Sequence, residues 1–338
     1  ALCAMMLWTV EPNAKHIMHA LFWVALANFG FELSMVFYNA MLPFLAPRNQ
    51  LGRWSGWGWG TGYLGGLACL SIVLVMFIQT EIPMFNLNKD AAEELRIMGP
   101  FVAAWMLVFA LPLFFLMPDT GDNQKQMTAA VRDGLKSLWL TLKKLREYRG
   151  IFWFLLARMC YTDGLNTLFA FGGIYAAGTF GFSFQDLIIF GISINLTAGI
   201  GAIIFAWIDD WLGPKTVVAI GLAGLVVLGS ALLVVESQML FWVFGIPLGI
   251  FVGPVQSASR SILAHMAPVS MRMEFFGLYA LSGKATAFLA PALLAWTTSA
   301  FNSQRAGMAT LIIFLILGMA LMIKVPSLRY CIPSSLKP

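Results

Sequence analysis

Charge is scarce in this 338-residue chain. Asp, Glu, Lys and Arg together make up 11% of it, against about 25% in an ordinary soluble domain. That shortage excludes a water-facing globule, whose surface needs charges of both signs. It also excludes a disordered chain, which is rich in charge and poor in apolar residues. Cysteine and histidine are scarce too, at four and three. Cys3, Cys69 and Cys160 lie in apolar runs and Cys331 in the tail, so the thiols read as buried or idle rather than as a disulfide framework. His16 and His19 stand three residues apart with only Glu11 beside them, and His265 is remote in sequence. This is too thin for a metal site. A membrane-embedded acyl- or glycosyltransferase, which needs a clustered acid–base or metal set, is therefore disfavoured. No phosphate-binding G-x-x-x-x-G-K-[ST] run occurs, and no cofactor is expected. Gly60, Gly62 and Gly65 do satisfy G-x-G-x-x-G, but they open an apolar helix with no strand before it, so the dinucleotide reading fails.

What is present is apolar: 59% of residues, with a mean hydropathy of +0.80. The pattern is that of an all-α, polytopic membrane protein. Residues 1–10 (ALCAMMLWTV) are apolar without the charged flank of a signal peptide. They read as the stub of a truncated span. Nine complete spans follow at 17–42, 57–79, 98–117, 151–178, 186–208, 216–235, 239–263, 275–298 and 306–325. Their lengths fit tilted helices across about 30 Å of hydrocarbon. The ten-residue alternating strands of an outer-membrane barrel are not seen.

Alternating the loops puts 14 basic residues on one side of the membrane and 4 on the other. The richer side, with Arg48, Arg53, Lys215 and Arg272, is cytoplasmic by the positive-inside rule. The formal charge of +5 is thus a topology signal and not a nucleic-acid footprint. The long cytoplasmic loop carries Val131, Leu135, Leu138, Leu142 and Leu145 at helical spacing, with Lys136, Lys143, Lys144 and Arg146 off the stripe. That describes an amphipathic helix lying on the inner leaflet. The division expected from sequence is an incomplete N-terminal half (1–117), an amphipathic linker (118–149) and a C-terminal six-helix half with a short tail (150–338).

Two glycine series, Gly58–Gly62–Gly66 and Gly245–Gly249–Gly253, place small residues every four positions for close helix approach in lipid. Ionisable groups inside spans cost about 2.5–3.5 kcal/mol each at the helix centre and normally face a partner or a wet cavity. Five stand out: Glu32, Arg158, Asp163, Arg260 and Lys284. Glu32 shares a face with Asn28 and Asn39, and Asp163 with Asn166. Gln256 and Arg260 continue the Gly249–Gly253 face, and Asn195 lies between Gly191 and Gly199. Pairing such as Glu32–Lys284 or Arg158–Asp163 would only fix the bundle. A polar lining drawn from five helices instead points to a translocation pathway. A non-transporting scaffold or sensor is the alternative; it would scatter these residues without a common lining. Asp210-Trp211-Leu212-Gly213-Pro214-Lys215 is a tight cytoplasmic turn in which an aspartate caps a helix end and Gly213-Pro214 reverses the chain.

That D-x-x-G-x-K turn resembles the second cytoplasmic signature of the major facilitator superfamily, with Trp211 where an arginine is usual and Ala206 in place of the leading glycine. Four longer runs, FELSMVFYNAMLP (31–43), SGWGWGTGYLGG (55–66), YTDGLNTLFAFGGIYAAGTFGF (161–182) and SRSILAHMAPVSMRMEFFGLY (259–279), are similar to the vacuolar amino-acid effluxer family of fungal autophagy and its bacterial relatives. The resemblance implies a major-facilitator bundle of two pseudo-symmetric halves and secondary transport of a small polar solute by alternating access, with amino acids as the family-implied solute. In that frame Glu32 and Asp163 are candidate proton or substrate-ammonium sites, and Lys284 is a candidate counter-charge. Asn39, Asn166, Asn195 and Gln256 are neutral lining groups, and Asp210, Gly213, Lys215 and Arg260 are gating candidates. The expected partners are a small solute, the lipid bilayer and protons, with the chain acting as a monomer. The expected location is a bacterial inner membrane, with a vacuolar membrane as the alternative.

Overall fold

A computed structural model describes residues 1–80, 85, 87–88, 91–117 and 127–327. Residues 118–126 of the expected linker, and Lys89, Lys125, Arg329, Cys331 and Lys337, lie outside the described residues. Among those described the chain is helical, without strands. The helices are α1 (Leu2–Met6), α2 (Ile17–Leu45), α3 (Leu51–Val73, continued by a π turn at Leu74–Ile78), α4 (Glu93–Arg96), α5 (Met98–Leu116), α6 (Met127–Lys144), α7 (Arg149–Phe180), α8 (Phe184–Leu212), α9 (Pro214–Val234), α10 (Gln238–Met266), α11 (Arg272–Ser282), α12 (Leu289–Phe301) and α13 (Gln304–Met322).

Among the described residues, seven helical runs are long and apolar enough to cross a bilayer. They coincide with seven of the nine expected spans. The other two differ in kind. The fourth, α7, has 32 residues but carries Arg158, Asp163 and Asn166, which lower its apolar character. The expected eighth span is not one helix: α11 and α12 are separated by turns at 283–288.

Helix ends follow local chemistry. Ser183 and Asp186 form a capping box at the start of α8, each side chain accepting from the other's backbone N–H. Ser237 and Ser303 cap α10 and α13 in the same sense. Gly213 joins α8 to α9 at φ 87°, a conformation that disfavours any residue with a Cβ. Pro214 then opens α9, where its missing N–H costs nothing.

Close approach is set by small residues. Gly245, Gly249 and Gly253 of α10 pack on α8: a Cβ on them would meet Phe190, Thr197 with Ile194, and the Ala198 backbone. Thr197 Oγ1 also donates to the Ile246 carbonyl at 3.0 Å. On α3 the packed series is not the expected one. Gly62 and Gly66 have open space beside them, whereas Gly52, Gly56 and Gly60 abut Asp209, Ala202 with Ala206, and Ile203 of α8.

The chain forms two compact units, Ala1–Met35 with Gly65–Ala130, and Val36–Leu64 with Val131–Pro338. The division cuts α2 and α3 near their middles, because their facing ends pack on α8 and α10. In the first unit, Arg96 donates from Nε and Nη2 to the Trp8 carbonyl, and Gly99 lets α5 approach the backbone of Ala4 in α1. In the second unit, α7, α9, α10 and α13 enclose a core that includes Phe154, Leu165, Leu222, Leu225, Ile262 and Leu311.

Candidate functional site

The second unit holds a buried polar cluster built on Arg260, which is 2% exposed. Its Nε donates to Ser55 Oγ at 2.9 Å and its Nη2 to the Ser55 carbonyl at 3.0 Å. Its Nη1 lies 3.4 Å from Asn39 Oδ1. The guanidinium also stands 5.1 Å from the Tyr38 ring centroid, within cation–π range. Ser55 passes the chain of bonds on, donating to the Ser257 carbonyl at 2.6 Å. A Cβ on Gly58 would come 2.9 Å from the Tyr38 hydroxyl and 3.1 Å from Arg260 Nη2, so glycine leaves the room this cluster uses. One turn before Arg260, Gln256 Oε1 accepts from the Tyr63 hydroxyl at 2.6 Å. Among the described residues no carboxylate forms an ion pair with Arg260. A buried guanidinium held by a hydroxyl, an amide, a carbonyl and a ring is an uncommon arrangement, because burying unneutralised charge is costly.

A second polar layer lies nearer the loop at 46–50. Arg53 Nε pairs with Asp210 Oδ2 at 3.0 Å, and the Arg53 backbone N–H donates to Asp210 Oδ1 at 3.2 Å. His265 sits between the Ser261 carbonyl, 2.7 Å from Nδ1, and the Arg48 carbonyl, 3.1 Å from Nε2. Together the two layers bind the ends of α2 and α3 to α8 and α10.

The expected site residues are thus distributed unevenly. Asn39, Gln256 and Arg260 come together, and Asp210 forms the second layer beside them. Gly213 makes the turn. Lys215 reaches a different place, donating from Nζ to the carbonyls of Ile323 and Val325 at the end of α13, where a cation suits the helix C-terminus. Asn195 is half-buried and donates to the Gly191 carbonyl of its own helix at 2.8 Å. Asn166 and Lys284 are exposed, and Glu32 is half-exposed in the first unit. Arg158 and Asp163 do not pair with each other. Arg158 donates to the Tyr279 carbonyl at 2.6 Å and to Ser282 Oγ at 2.9 Å, and Asp163 Oδ2 accepts from the Ala290 N–H at 3.1 Å. Sequence reasoning missed Tyr38, Arg53, Ser55, Tyr63 and Ser257. Only position could have revealed them, since a serine or tyrosine in an apolar span carries little signal alone.

Comparison with known proteins places the chain in a family and a fold. The family model described as "Vacuole effluxer Atg22 like" matches residues 48–329. The chain is 25% identical over 313 residues to the MFS-type transporter YxiO of Bacillus subtilis, covering 93% of this chain and 72% of the relative. It is 23% identical over 286 residues to autophagy-related protein 22 of Cryptococcus neoformans, covering 78% of this chain and 48% of the relative. It therefore spans about half the length of that fungal relative. Among solved structures, the Escherichia coli fucose:proton symporter FucP aligns with a TM-score of 0.73 at 14% identity, over 96% of this chain and 81% of that one. The fold is that of the major facilitator transporters, and the protein is an integral membrane protein.

Proposed function

We propose a function on the premise that this chain belongs to the vacuole effluxer Atg22-like family, whose relatives include MFS-type transporters and not enzymes. The chain carries a small polar solute across a membrane by alternating access, and amino acids are the solute class. The observation that carries this reading is the two-layer latch at the loop 46–50 end. Its inner layer holds a buried cation whose acceptors among the described residues are neutral. Such bonds each contribute about 0.5–1.5 kcal/mol, rising to about 3 kcal/mol when one partner is charged, so the layer can part and re-form during a cycle. Basic loops put this end on the cytoplasmic side, so in this reading the latch is the cytoplasmic gate. Gln256 and Tyr63 then form a polar floor one turn from the latch, and Asn39 is part of the latch itself. Asn195 is a further lining group in this reading.

The experiment is counterflow in proteoliposomes loaded with single unlabelled amino acids and sampled with a labelled mixture. Exchange by the wild type and its loss in Arg260→Ala would support the reading. Absence of exchange for every amino acid, with exchange of another polar solute, would remove the solute class and keep the mechanism.

A further inference from the structure

We propose that Asp163 and the break between α11 and α12 form a binding site for one monovalent cation, a proton or a small alkali ion. The purpose of the site, coupling, rests on the transport reading; its binding does not.

The break is held from both sides by one helix. A helix interrupted inside a bilayer leaves carbonyls at one new end and N–H groups at the other, and lipid supplies no partner for either. At the end of α11, Arg158 donates to the Tyr279 carbonyl and Ser282 Oγ, and its guanidinium lies 3.5 Å from the Tyr279 ring centroid. A Cβ on Gly283 would come 2.7 Å from Arg158 Nη1, so the glycine gives the guanidinium its place. At the start of α12, Asp163 accepts from Ala290. Each charge has the sign its helix end favours.

Capping, however, uses only one carboxylate oxygen. Asp163 is 1% exposed, and its Oδ1 is buried with no hydrogen-bond partner among the described residues. Thr286 Oγ1, in the turn between the half-helices, is in the same condition. The unpartnered carboxylate oxygen calls for a positive charge, because a buried carboxylate with unmade bonds is costly until neutralised, and the Thr286 hydroxyl is a further oxygen in the same break. The charged and titratable groups around it are Arg158, Cys160 and Tyr161 on α7, and Tyr279 and Lys284 on the broken helix. α13 packs beside it through apolar Leu311, Phe314 and Leu315 at Gly164. None is a second acid, and among the described residues no cluster of three His, Cys, Asp or Glu occurs. One carboxylate oxygen with a threonine hydroxyl in the adjoining turn therefore matches a single positive charge and not a divalent metal. Occupancy would set how firmly the start of α12 is held to α7.

The test uses the purified full chain and reads the midpoint of thermal unfolding. One arm titrates NaCl, LiCl or KCl against choline chloride at constant ionic strength. The other lowers the pH from 8 to 5. The wild type should rise by several degrees, saturably, in one arm: the salt arm identifies an alkali ion, and the pH arm a proton. Asp163→Asn keeps an acceptor for Ala290 but removes the charge, so that response should vanish while the protein stays folded. Thr286→Val should weaken the half-saturating salt concentration at least fivefold if the ligand is an alkali ion, and leave the response intact if it is a proton. A wild type that responds in neither arm, or an Asp163→Asn variant that responds as the wild type does, overturns the site. Counterflow measured on the same preparations reports separately on transport, which would stand without the site.

Discussion

Arg260 shows how far a single residue can be read before its surroundings are known. Its charge in an apolar run marks it in the sequence, and its place near the end of α10 suggests a gate. Its partners are invisible there, since Asn39 and Ser55 lie 221 and 205 residues away. Removing the guanidinium orphans the Asn39 and Ser55 acceptors, at about 1–3 kcal/mol for each buried group left unmade. Arg260→Ala should therefore lower the unfolding midpoint and abolish counterflow. Arg260→Lys should recover stability only in part, because an ammonium is a point charge that cannot reach Ser55 and Asn39 in the guanidinium's fork geometry. A lysine variant equal to wild type in both measurements would show that charge alone, and not the fork, holds the latch. Asp163 was equally marked by its charge, but its role at a helix break was illegible. The interruption at Ser282-Gly283-Lys284 sits inside a run otherwise apolar enough to pass for a span.

At the scale of elements the sequence signals divide cleanly. Long apolar runs gave seven spans because bilayer thickness imposes a length that hydropathy can see. Helix facing was harder. Glycines at 52, 56, 58, 60, 62, 65 and 66 allow several four-residue series on α3, and only packing selects Gly52–Gly56–Gly60. The two registers make opposite predictions. Gly60→Val should lower the unfolding midpoint through overpacking of about 1–3 kcal/mol, because the new side chain would meet Ile203. Gly62→Ala should be neutral or stabilising by up to about 1 kcal/mol, since alanine is the better helix former and nothing lies within 4 Å. The linker helix α6 makes a third prediction. Val131, Leu135, Trp139 and Leu142 are exposed on it, and Lys143 lies 5.4 Å from the Trp139 ring centroid. A nitroxide placed at Leu135 should be accessible to oxygen dissolved in lipid, and one at Lys136 to a water-soluble relaxation agent. Equal accessibility at the two sites would detach α6 from the leaflet.

For the whole molecule, fold class was legible because composition, span length and loop charge all pointed to one architecture, and the match to major facilitator structures agrees. The contact units are a separate matter: 36–64 groups with 131–338, a pairing of segments distant in sequence that no local signal carries. The latch layers that make this join differ in strength. Arg53 is about one-third exposed and Asp210 nearly buried, so their pair contributes up to about 1 kcal/mol, a factor of about five in a two-state balance. Asp210→Asn should therefore raise labelling of a cysteine at Ser257 from the cytoplasmic side only a few-fold. Arg260→Ala should raise it much more. Equal effects would make the two layers one cooperative unit.

The 205-residue separation between Ser55 and Arg260 also has a meaning in time. A chain is inserted as it is synthesised, at about 5–20 residues per second, so α2 and α3 enter the membrane some tens of seconds before α10 is complete. Arg260 would otherwise add about 2.5–3.5 kcal/mol to the insertion of its helix if it lay at the bilayer centre. Instead its acceptors at Asn39 and Ser55 are already in place when it arrives. Biogenesis of the late helix thus depends on the early pair, and an Asn39→Leu, Ser55→Ala double variant should show a larger fraction of chains with α10 left uninserted, measured by protease protection of the 267–271 loop.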